Sequence, residues 1–270
     1  MKLTQNNYFG EKASREYMSV SQFKDFLKCP AMAMAKLNGE YTPDFGRALL
    51  LGSFVDEMLT GTPSSQKKFA DENLSELFKK NGDPYADVAQ AMETIVRVKH
   101  QPLMMHYLGG KHQTIMTAEI CGVPFKIKMD SYRPDEYIAD LKYMKSLRSP
   151  NLFEPMVKYW GYDLQAACYQ NVVFQNIGKR LPFYFVVATK EQPAHLAVGE
   201  ISQWNMDEAF ENVKRHIVRF QKIKNGELPA ERCEDYNCEY CTSTKVITEA
   251  IDTDLFGMST AQIKGMRGEL

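Results

Sequence analysis

Apolar residues in the first hundred or so positions recur mostly at helical spacing. The segment from Ser19 to about Leu37 opens with a capping-box spacing and predicts a helix that is interrupted near Cys29-Pro30, because proline cannot donate the backbone hydrogen bond. Further helices are indicated by an apolar run at 48–59 and by amphipathic stretches at about 65–80 and 85–107. This part of the chain is therefore expected to be mainly helical.

The periodicity changes after residue 113. Alternating positions predict three paired strands, at 114–121, 125–132 and 136–142, with a first turn at Gly122-Val123-Pro124. Helical spacing then predicts one long buried helix over 151–174, followed by strands at 182–189 and 195–201 and a helix from about 206 to 225. This order predicts an α/β fold in which helices flank a mixed central sheet.

The length of 270 residues and a hydrophobic content of 44% are enough for one large buried core. We expect a single domain over 1–228, with a mainly helical part at 1–110, the sheet core and its packed helix at 111–205, and the last helix at 206–228. The tail at 229–270, which contains three cysteines, is the one candidate appendage.

Composition says more about where the protein acts than about which reaction it catalyses. No segment approaches the roughly 20 apolar residues of a membrane span, and the N-terminus has no apolar signal block, so we expect a cytoplasmic protein that does not enter a membrane. Thirty-three basic and 34 acidic residues give a net charge of −1, so any nucleic-acid surface must be local. We find neither a phosphate-cradling glycine loop nor a nucleophile elbow, which disfavours a small-molecule enzyme.

Three charged residues of the predicted strands carry the candidate chemistry. Asp140 and Lys142 stand two apart on one strand and share a face, and Asp130 ends the neighbouring strand. Phosphodiester hydrolysis needs oxygen ligands for Mg²⁺ or Mn²⁺ and a cation beside the phosphate, which two carboxylates and a lysine supply. A lone Asp-x-Lys is also common as a surface ion pair, so the order of the surrounding motifs has to decide between a catalytic site and an ordinary ion pair.

That order resembles the PD-(D/E)xK nuclease superfamily, and more narrowly the phage and prophage RecE-like exonucleases related to the RecB nuclease domain and lambda exonuclease. The resemblance extends from about Ser19 to Lys245. It rests on these segments: Ser21-Gln-Phe-Lys-Asp-Phe-Leu-Lys-Cys29-Pro30, Gly52-Ser-Phe-Val-Asp56, Asp130, Asp140-Leu-Lys142 and Tyr162-Asp-Leu-Gln165-Ala-Ala-Cys-Tyr169.

The resemblance implies a set of site residues. The implied catalytic residues are Asp130, Asp140, Lys142, Glu119 and Gln165. The implied ligands of one or two Mg²⁺ or Mn²⁺ ions are Asp56, Asp130, Asp140 and the backbone carbonyl of Leu141. Asp56 stands where the family usually has histidine; aspartate also binds Mg²⁺, although Asp56 could instead begin the polar face of a helix.

DNA contacts are implied less directly. The helical spacing of four puts Gln165 and Tyr169 on one face, and in the superfamily that tyrosine helps to hold the DNA backbone. Arg47, Lys145 and Arg148 could meet phosphates, or could be ordinary surface charges.

The resemblance implies an exonuclease that degrades double-stranded DNA ends in the 5′→3′ direction. The exposed 3′ single strand would be loaded with a RecT-like annealing protein in phage recombination. Relatives form closed rings, so a homo-oligomeric trimer or tetramer is expected, encoded by a phage or prophage and acting in the bacterial host cell.

The cysteines suggest a second site. Cys233-x4-Cys238-x2-Cys241 has metal-like spacing, and Cys29 matches the distant fourth ligand of the iron–sulfur nucleases of the AddB and Cas4 type, although the x4-then-x2 spacing departs from theirs. Four thiolates could hold a [4Fe–4S] cluster or Zn²⁺, or form a cysteine-rich turn without metal. Cys121 and Cys168 are expected in the core.

The alternatives to the recombination exonuclease are therefore a Cas4-like or restriction-type nuclease and a DNA-binding relative without catalysis.

Overall fold

A mixed five-stranded sheet with the order β1-β2-β3-β4-β5 forms the centre of the structure. The computed structural model describes residues 1–43, 46–151, 153–233 and 238–247, together with Met258, Gln262, Gly265 and Met266. The strands are β1 (Lys111–Ile120), β2 (Val123–Arg133), β3 (Tyr137–Met144), β4 (Phe183–Thr189) and β5 (Leu196–Glu200). The expected mixed α/β fold is therefore confirmed.

Helices precede, interrupt and follow these strands. They are α1 (Glu11–Glu16), α2 (Val20–Lys28), α3 (Pro30–Leu37), α4 (Gly46–Thr60), α5 (Pro63–Glu72), α6 (Leu74–Leu77), α7 (Ala86–Lys99), α8 (Pro102–Leu108), α9 (Met156–Tyr159), α10 (Tyr162–Ile177), α11 (Gln203–Lys224) and α12 (Glu239–Ser243). The N-terminal region is helical as predicted, with the break between α2 and α3 at Cys29-Pro30. No helix in the described ranges is long and apolar enough to cross a bilayer.

The β1–β2 hairpin turns one residue earlier than the sequence predicted. Cys121 and Gly122 both have positive φ, 51° and 75°, which is the two-residue turn that suits the twist of a hairpin. Val123 and Pro124 therefore belong to β2, where Pro124 pairs with Glu119.

The predicted long helix over 151–174 is wrong in its first half. A short α9 ends before Gly161, whose left-handed φ of 59° breaks the helix, and α10 begins only at Tyr162. α10 is the crossover that returns the chain to the sheet, because β3 and β4 pair in parallel. The other strand pairs are antiparallel.

Each face of the sheet is covered by its own helices. On one face, Phe125, Ile138 and Phe183 pack with residues of α2, α10 and α11. On the other face, Leu141 and Val186 pack with α4, α7 and α8. β3 thus lies buried between two helical layers, and its charged residues are held inside the domain.

Candidate active site and cysteine cluster

Strand β3 places Asp140 and Lys142 on one face, as the spacing of two requires. Asp140 is only 3% exposed, and its Oδ2 lies 2.5 Å from Lys142 Nζ. A carboxylate at this depth is costly unless charged or polar partners surround it. The partners that surround Asp140 come from other elements of the fold.

Helix α10 supplies the first partner. Gln165 Nε2 donates to Asp140 Oδ1 at 2.5 Å, and one turn later the Tyr169 hydroxyl donates to the Lys128 carbonyl at 3.1 Å. Both side chains are nearly buried, at 8% and 9% exposure. The spacing of four therefore directs both residues at the sheet.

Two further carboxylates come from β2 and α4. Asp130 Oδ2 accepts the backbone N–H of Leu141 at 3.0 Å, which connects β2 to the middle of β3. Asp56 accepts from Gln113 Nε2 at 3.1 Å and from the Thr60 hydroxyl at 3.2 Å. We call Asp56, Asp130 and Asp140 the carboxylate cluster.

The members of the carboxylate cluster interact electrostatically. Burial raises the pKa of Asp130 well above its ordinary value, and the neighbouring charges of Asp140 and Asp56 raise it further. Burial, followed by the charge of Asp140, also raises the pKa of Asp56, against the hydrogen bond from Thr60. Buried acids that repel one another in this way favour a bound cation.

Lys142 is the cation that already faces the cluster. Burial lowers its pKa, but the charges of Asp140 and Asp130 outweigh burial, so that the pKa is raised and the side chain stays charged. Its ammonium also lies 5.1 Å from the ring centre of Tyr162 and 5.6 Å from that of Phe185. These rings fix the lysine over the face of β3.

The carboxylate cluster fits a divalent cation. Asp140 Oδ2 is buried, and its described partner is Lys142 Nζ, with which it forms an ion pair at 2.5 Å. A buried carboxylate oxygen whose described partner is a lysine ammonium, with two more carboxylates nearby, belongs to a donor set of the kind that Mg²⁺ and Mn²⁺ accept.

Glu119 is not brought to this site. It is exposed near the turn of the β1–β2 hairpin and pairs with Pro124. Asp130 lies at the other end of that hairpin, six residues from Pro124 along β2, which is about 20 Å of strand. The resemblance implied both acids as site residues, but the register of the hairpin separates them.

The three residues predicted to contact DNA differ in whether they are exposed or already paired within the protein. Arg47 is already engaged, because its guanidinium pairs with both oxygens of Asp87 at 2.7 Å and 2.5 Å, which raises the pKa of the arginine. Lys145 and Arg148 lie exposed in the segment that follows β3. Those two remain available to a phosphate backbone.

Sequence reasoning missed a group of lysines beside the carboxylates. A cleft whose lining includes Asp130 and Gln165 is also lined by Lys24 of α2 and by Lys126 and Lys128 of β2, and we call it the lysine cleft. Its other lining residues are Tyr8, Phe9, Ser14, Ser19, Val20, Ser21, Gln22 and Tyr169. The alternation of Lys126, Lys128 and Asp130 along one strand was a signal for part of it, since every second residue shares a face.

Two lysines of the cleft have neutral hydrogen-bond partners, because Lys24 Nζ donates to the Trp160 carbonyl at 2.9 Å and Lys126 Nζ donates to the Tyr8 carbonyl at 2.6 Å. Neither partner offsets the cost of burying the charge. Burial and then the charge of Lys142 lower the pKa of Lys24 to about 8, although Asp140 opposes the shift. Burial alone lowers the pKa of Lys126 to about 8. Partly buried cations of this kind are stabilised by an incoming anion.

A separate group of thiols lies where the tail meets helix α3. The sulfur atoms of Cys29, Cys233, Cys238 and Cys241 all lie within 4.8 Å of one another, and we call them the cysteine cluster. Of the remaining cysteines, Cys168 is buried in the core as predicted, whereas Cys121 is exposed at the hairpin turn, contrary to the prediction.

Comparisons with known proteins agree with this geometry. The model of a family described as "PDDEXK-like domain of unknown function (DUF3799)" matches residues 19–244. A crystal structure of a Eubacterium rectale protein named "Putative exonuclease" is similar with a TM-score of 0.87 and 37% sequence identity, over 96% of this chain and 99% of that chain. No curated protein matches the sequence.

Proposed function

The chain belongs to this PDDEXK-like family and is a nuclease, and on that premise we propose that it is a metal-dependent 5′→3′ exonuclease of double-stranded DNA. The observation that carries the proposal is the contact set around Asp140, which combines Lys142, Gln165 and the neighbouring Asp130 in one buried place. Nucleases of this family generally use divalent metals. Here we propose one or two Mg²⁺ or Mn²⁺ ions.

Residues of four elements would divide the chemistry. Asp56, Asp130 and Asp140 would hold the ion, with the carbonyl of Leu141 as a further donor. When bound, the ion would supply a Lewis acid and a water nucleophilic at neutral pH. Gln165 orients Asp140 through its hydrogen bond to Oδ1, so that Oδ2, which is ion-paired with Lys142, is the oxygen that would act as a ligand.

Lys142 would act on the phosphate. Its charge, maintained by the carboxylates, lies where it can orient the attacking water or offset the negative charge that develops on the phosphoryl oxygens. The adjacent rings of Tyr162 and Phe185 exclude water from one side of the ammonium, which strengthens its electrostatic effect.

The lysine cleft supports a nucleic-acid substrate. Three lysines line a cleft whose lining also includes Asp130 of the carboxylate cluster, so phosphates of a strand would be drawn toward the proposed metal ligands. Two serines, Ser19 and Ser21, lie at the start of α2 in the same cleft and add hydroxyl donors. Beyond β3, Lys145 and Arg148 would extend the contact to the DNA backbone.

The direction of digestion, the partners and the assembly rest on the resemblance to RecE-like exonucleases. We propose that the protein acts on DNA ends as a ring-shaped trimer or tetramer, and that it leaves 3′ strands for a RecT-like annealing protein. A ring would keep the enzyme on its substrate between cleavages. Light scattering during size-exclusion chromatography would measure the mass, and a monomer at micromolar concentration would contradict the ring.

The decisive experiment is digestion of linear double-stranded DNA labelled at its 5′ or 3′ end, with Mg²⁺, with Mn²⁺ and with EDTA. We expect early release of the 5′ label as mononucleotide, no reaction in EDTA, and a loss of at least about 10³-fold in Asp140→Ala and Lys142→Ala. The matched controls are Asp135→Ala and Lys179→Ala. These two residues form an exposed ion pair outside the site, in which Lys179 Nζ lies 2.6 Å from Asp135 Oδ1.

The outcomes separate the alternatives. Early release of the 3′ label would reverse the proposed polarity, and cleavage of closed circular DNA would replace the exonuclease with an endonuclease. Activity that survives both site substitutions would refute the assignment of the site. DNA binding by the wild type without hydrolysis in any divalent metal would favour a binding relative.

A further inference from the structure

The cysteine cluster brings together two parts of the chain that are about 200 residues apart. Cys29 lies at the junction of α2 and α3, and the other three cysteines lie in the tail that follows α11. Cys29, Cys238 and Cys241 are 0%, 1% and 6% exposed, and Cys233 is half-buried. All four are unoxidised, so a disulfide does not account for their approach.

The sulfur separations match the size of one ion. In a regular tetrahedron the ligands are 1.63 times as far from each other as from the centre, so a zinc–sulfur distance of about 2.3 Å requires sulfurs about 3.8 Å apart. Cys29 and Cys241 are 3.5 Å apart, Cys233 and Cys241 are 3.8 Å apart, and every pair lies within 4.8 Å. A [4Fe–4S] cube inserts four irons and four sulfides between its thiolates and holds them much farther apart.

Two features of the surroundings favour thiolates, although burial raises the pKa of Cys29. Cys29 caps the N-terminus of α3, and its sulfur accepts the backbone N–H of Met32 at 3.4 Å. Arg232 donates to the Cys241 carbonyl at 2.6 Å, which places a positive charge beside the cluster. Both features favour negative sulfur.

We propose that Cys29, Cys233, Cys238 and Cys241 bind one structural Zn²⁺. Four protein ligands close the tetrahedron and leave no position for water or substrate, which is the pattern of a structural rather than a catalytic zinc. This site is independent of the carboxylate cluster and shares no residue with it.

The ion would fasten the tail to one wall of the lysine cleft. α2, which ends at the zinc-bound Cys29, carries Lys24 and is capped by Ser19, and both residues line that cleft. The backbone N–H of Ala31 also donates to the Glu231 carbonyl at 3.1 Å, so the tail already contacts α3 beside the cluster. Zinc would therefore set the position of α2 relative to the tail without entering the chemistry.

The test is metal analysis of the full-length protein. Elemental analysis after purification without chelator should give one zinc per chain in the wild type and in Cys121→Ser, an exposed cysteine outside the cluster. Cys29→Ser and Cys241→Ser should lose the zinc. Titration of the wild type with a mercurial should release zinc as the thiols react, measured with a chromogenic chelator.

Cobalt substitution keeps the test valid if the cysteine variants fail to fold. The wild type grown or exchanged with Co²⁺ should show the intense visible bands of tetrahedral thiolate coordination. Iron with acid-labile sulfide and broad absorption in the visible range would overturn the proposal in favour of an iron–sulfur cluster. A zinc-free wild type that binds no Co²⁺ would show that the thiols only pack together. Neither result depends on nuclease activity, so the proposed function stands or falls separately.

Discussion

The two oxygens of Asp140 have different partners, and this division gives Gln165 its importance. Oδ1 accepts from Gln165 at 2.5 Å, whereas Oδ2 is ion-paired with Lys142 at 2.5 Å. Gln165 thereby fixes which oxygen is presented to a metal. A residue of this kind acts through another, so its effect should appear in metal affinity as well as in rate.

We therefore expect Gln165→Ala to lower the rate of DNA hydrolysis, or the affinity for Mn²⁺, by about 10–100-fold. The measurement is the single-turnover rate on labelled duplex DNA across a Mn²⁺ titration. Gln175→Ala on the same helix is the control, because Gln175 is exposed and bonds the Glu119 carbonyl. Superimposable titrations for Gln165→Ala and the wild type would show that the hydrogen bond has no positioning role.

The lowered pKa of Lys24 predicts a pH dependence of DNA binding. With a pKa of about 8, lowered by burial and then by Lys142, Lys24 is charged below pH 7 and loses its proton as pH rises through 8. A phosphate favours the charged form, so binding takes up a proton and affinity should fall between pH 7 and pH 9. Lys126, with a pKa of about 8, and Lys128, with a lowered pKa, act in the same direction.

Fluorescence anisotropy with labelled DNA and Ca²⁺ would measure this fall. Lys24→Arg should reduce it, because a guanidinium stays charged across the whole range. Lys28→Arg, on the exposed side of the same helix, should leave the profile as in the wild type. If the affinity of the wild type does not change from pH 7 to pH 9, the lysine cleft is not the DNA path.

Residues close in sequence were predictable as a site, and distant ones were not. Asp140 and Lys142 follow from strand alternation and Asp130 from its place at the end of the neighbouring strand. The resemblance added Gln165 and Asp56, and the structure brings all five residues near one another. Lys24 could not be found this way, because only the packing of α2 on α10 brings it near Asp140. Glu119 was implied by the resemblance alone, and a motif match does not fix where along the hairpin the residue lies.

At the scale of elements, the two residues of the β1–β2 turn differ in how well they tolerate a positive φ. Gly122 adopts its φ of 75° at no steric cost, whereas Cys121 at 51° carries a Cβ in the left-handed region. Asparagine tolerates this region better than cysteine and is the preferred first residue of such turns.

Cys121→Asn should therefore raise the free energy of unfolding by about 0.5–1 kcal/mol, and Gly122→Ala should lower it by about 1 kcal/mol. Nothing lies within 4 Å of a Cβ built at Gly122, so the second effect would come from backbone strain alone. Urea unfolding followed by circular dichroism would measure both changes. Equal stability of the two variants would mean that the turn relaxes to another conformation.

Patterning predicted the elements better than their ends. The alternation in β1 to β3 and the helical periods of α2, α4 and α11 were sufficient to place these elements in the sequence. The break at Gly161 was missed because apolar residues continue through it at helical spacing, and only the backbone conformation of one glycine separates α9 from α10.

At the scale of the whole molecule, the tail is attached to the domain at several points. Besides the cysteine cluster, Arg219 of α11 pairs with Glu231 at 2.8 Å, and Tyr41 donates to Glu239 at 3.1 Å. The sequence suggested an appendage after Leu228, but the described tail residues cover Cys29 and Met32, which belong to a buried cluster of their own. The stability of 1–228 on its own therefore depends on how much the tail contributes by burying Cys29 and Met32.

A chain that ends at Leu228 should lose at least about 3 kcal/mol of stability, or roughly 6–12 °C in Tm, because Cys29 and Met32 become exposed. A chain that ends at Lys245 keeps all four cysteines and should resemble the full-length protein. The contacts of the carboxylate cluster among the described residues lie within 1–228, so the shorter chain should still hydrolyse DNA at 20 °C, where it remains folded. Calorimetry tests the expected loss of stability, and an unchanged Tm would make the tail a true appendage. The nuclease assay tests the retained activity, and a folded but inactive chain would mean that the tail shapes the active site itself.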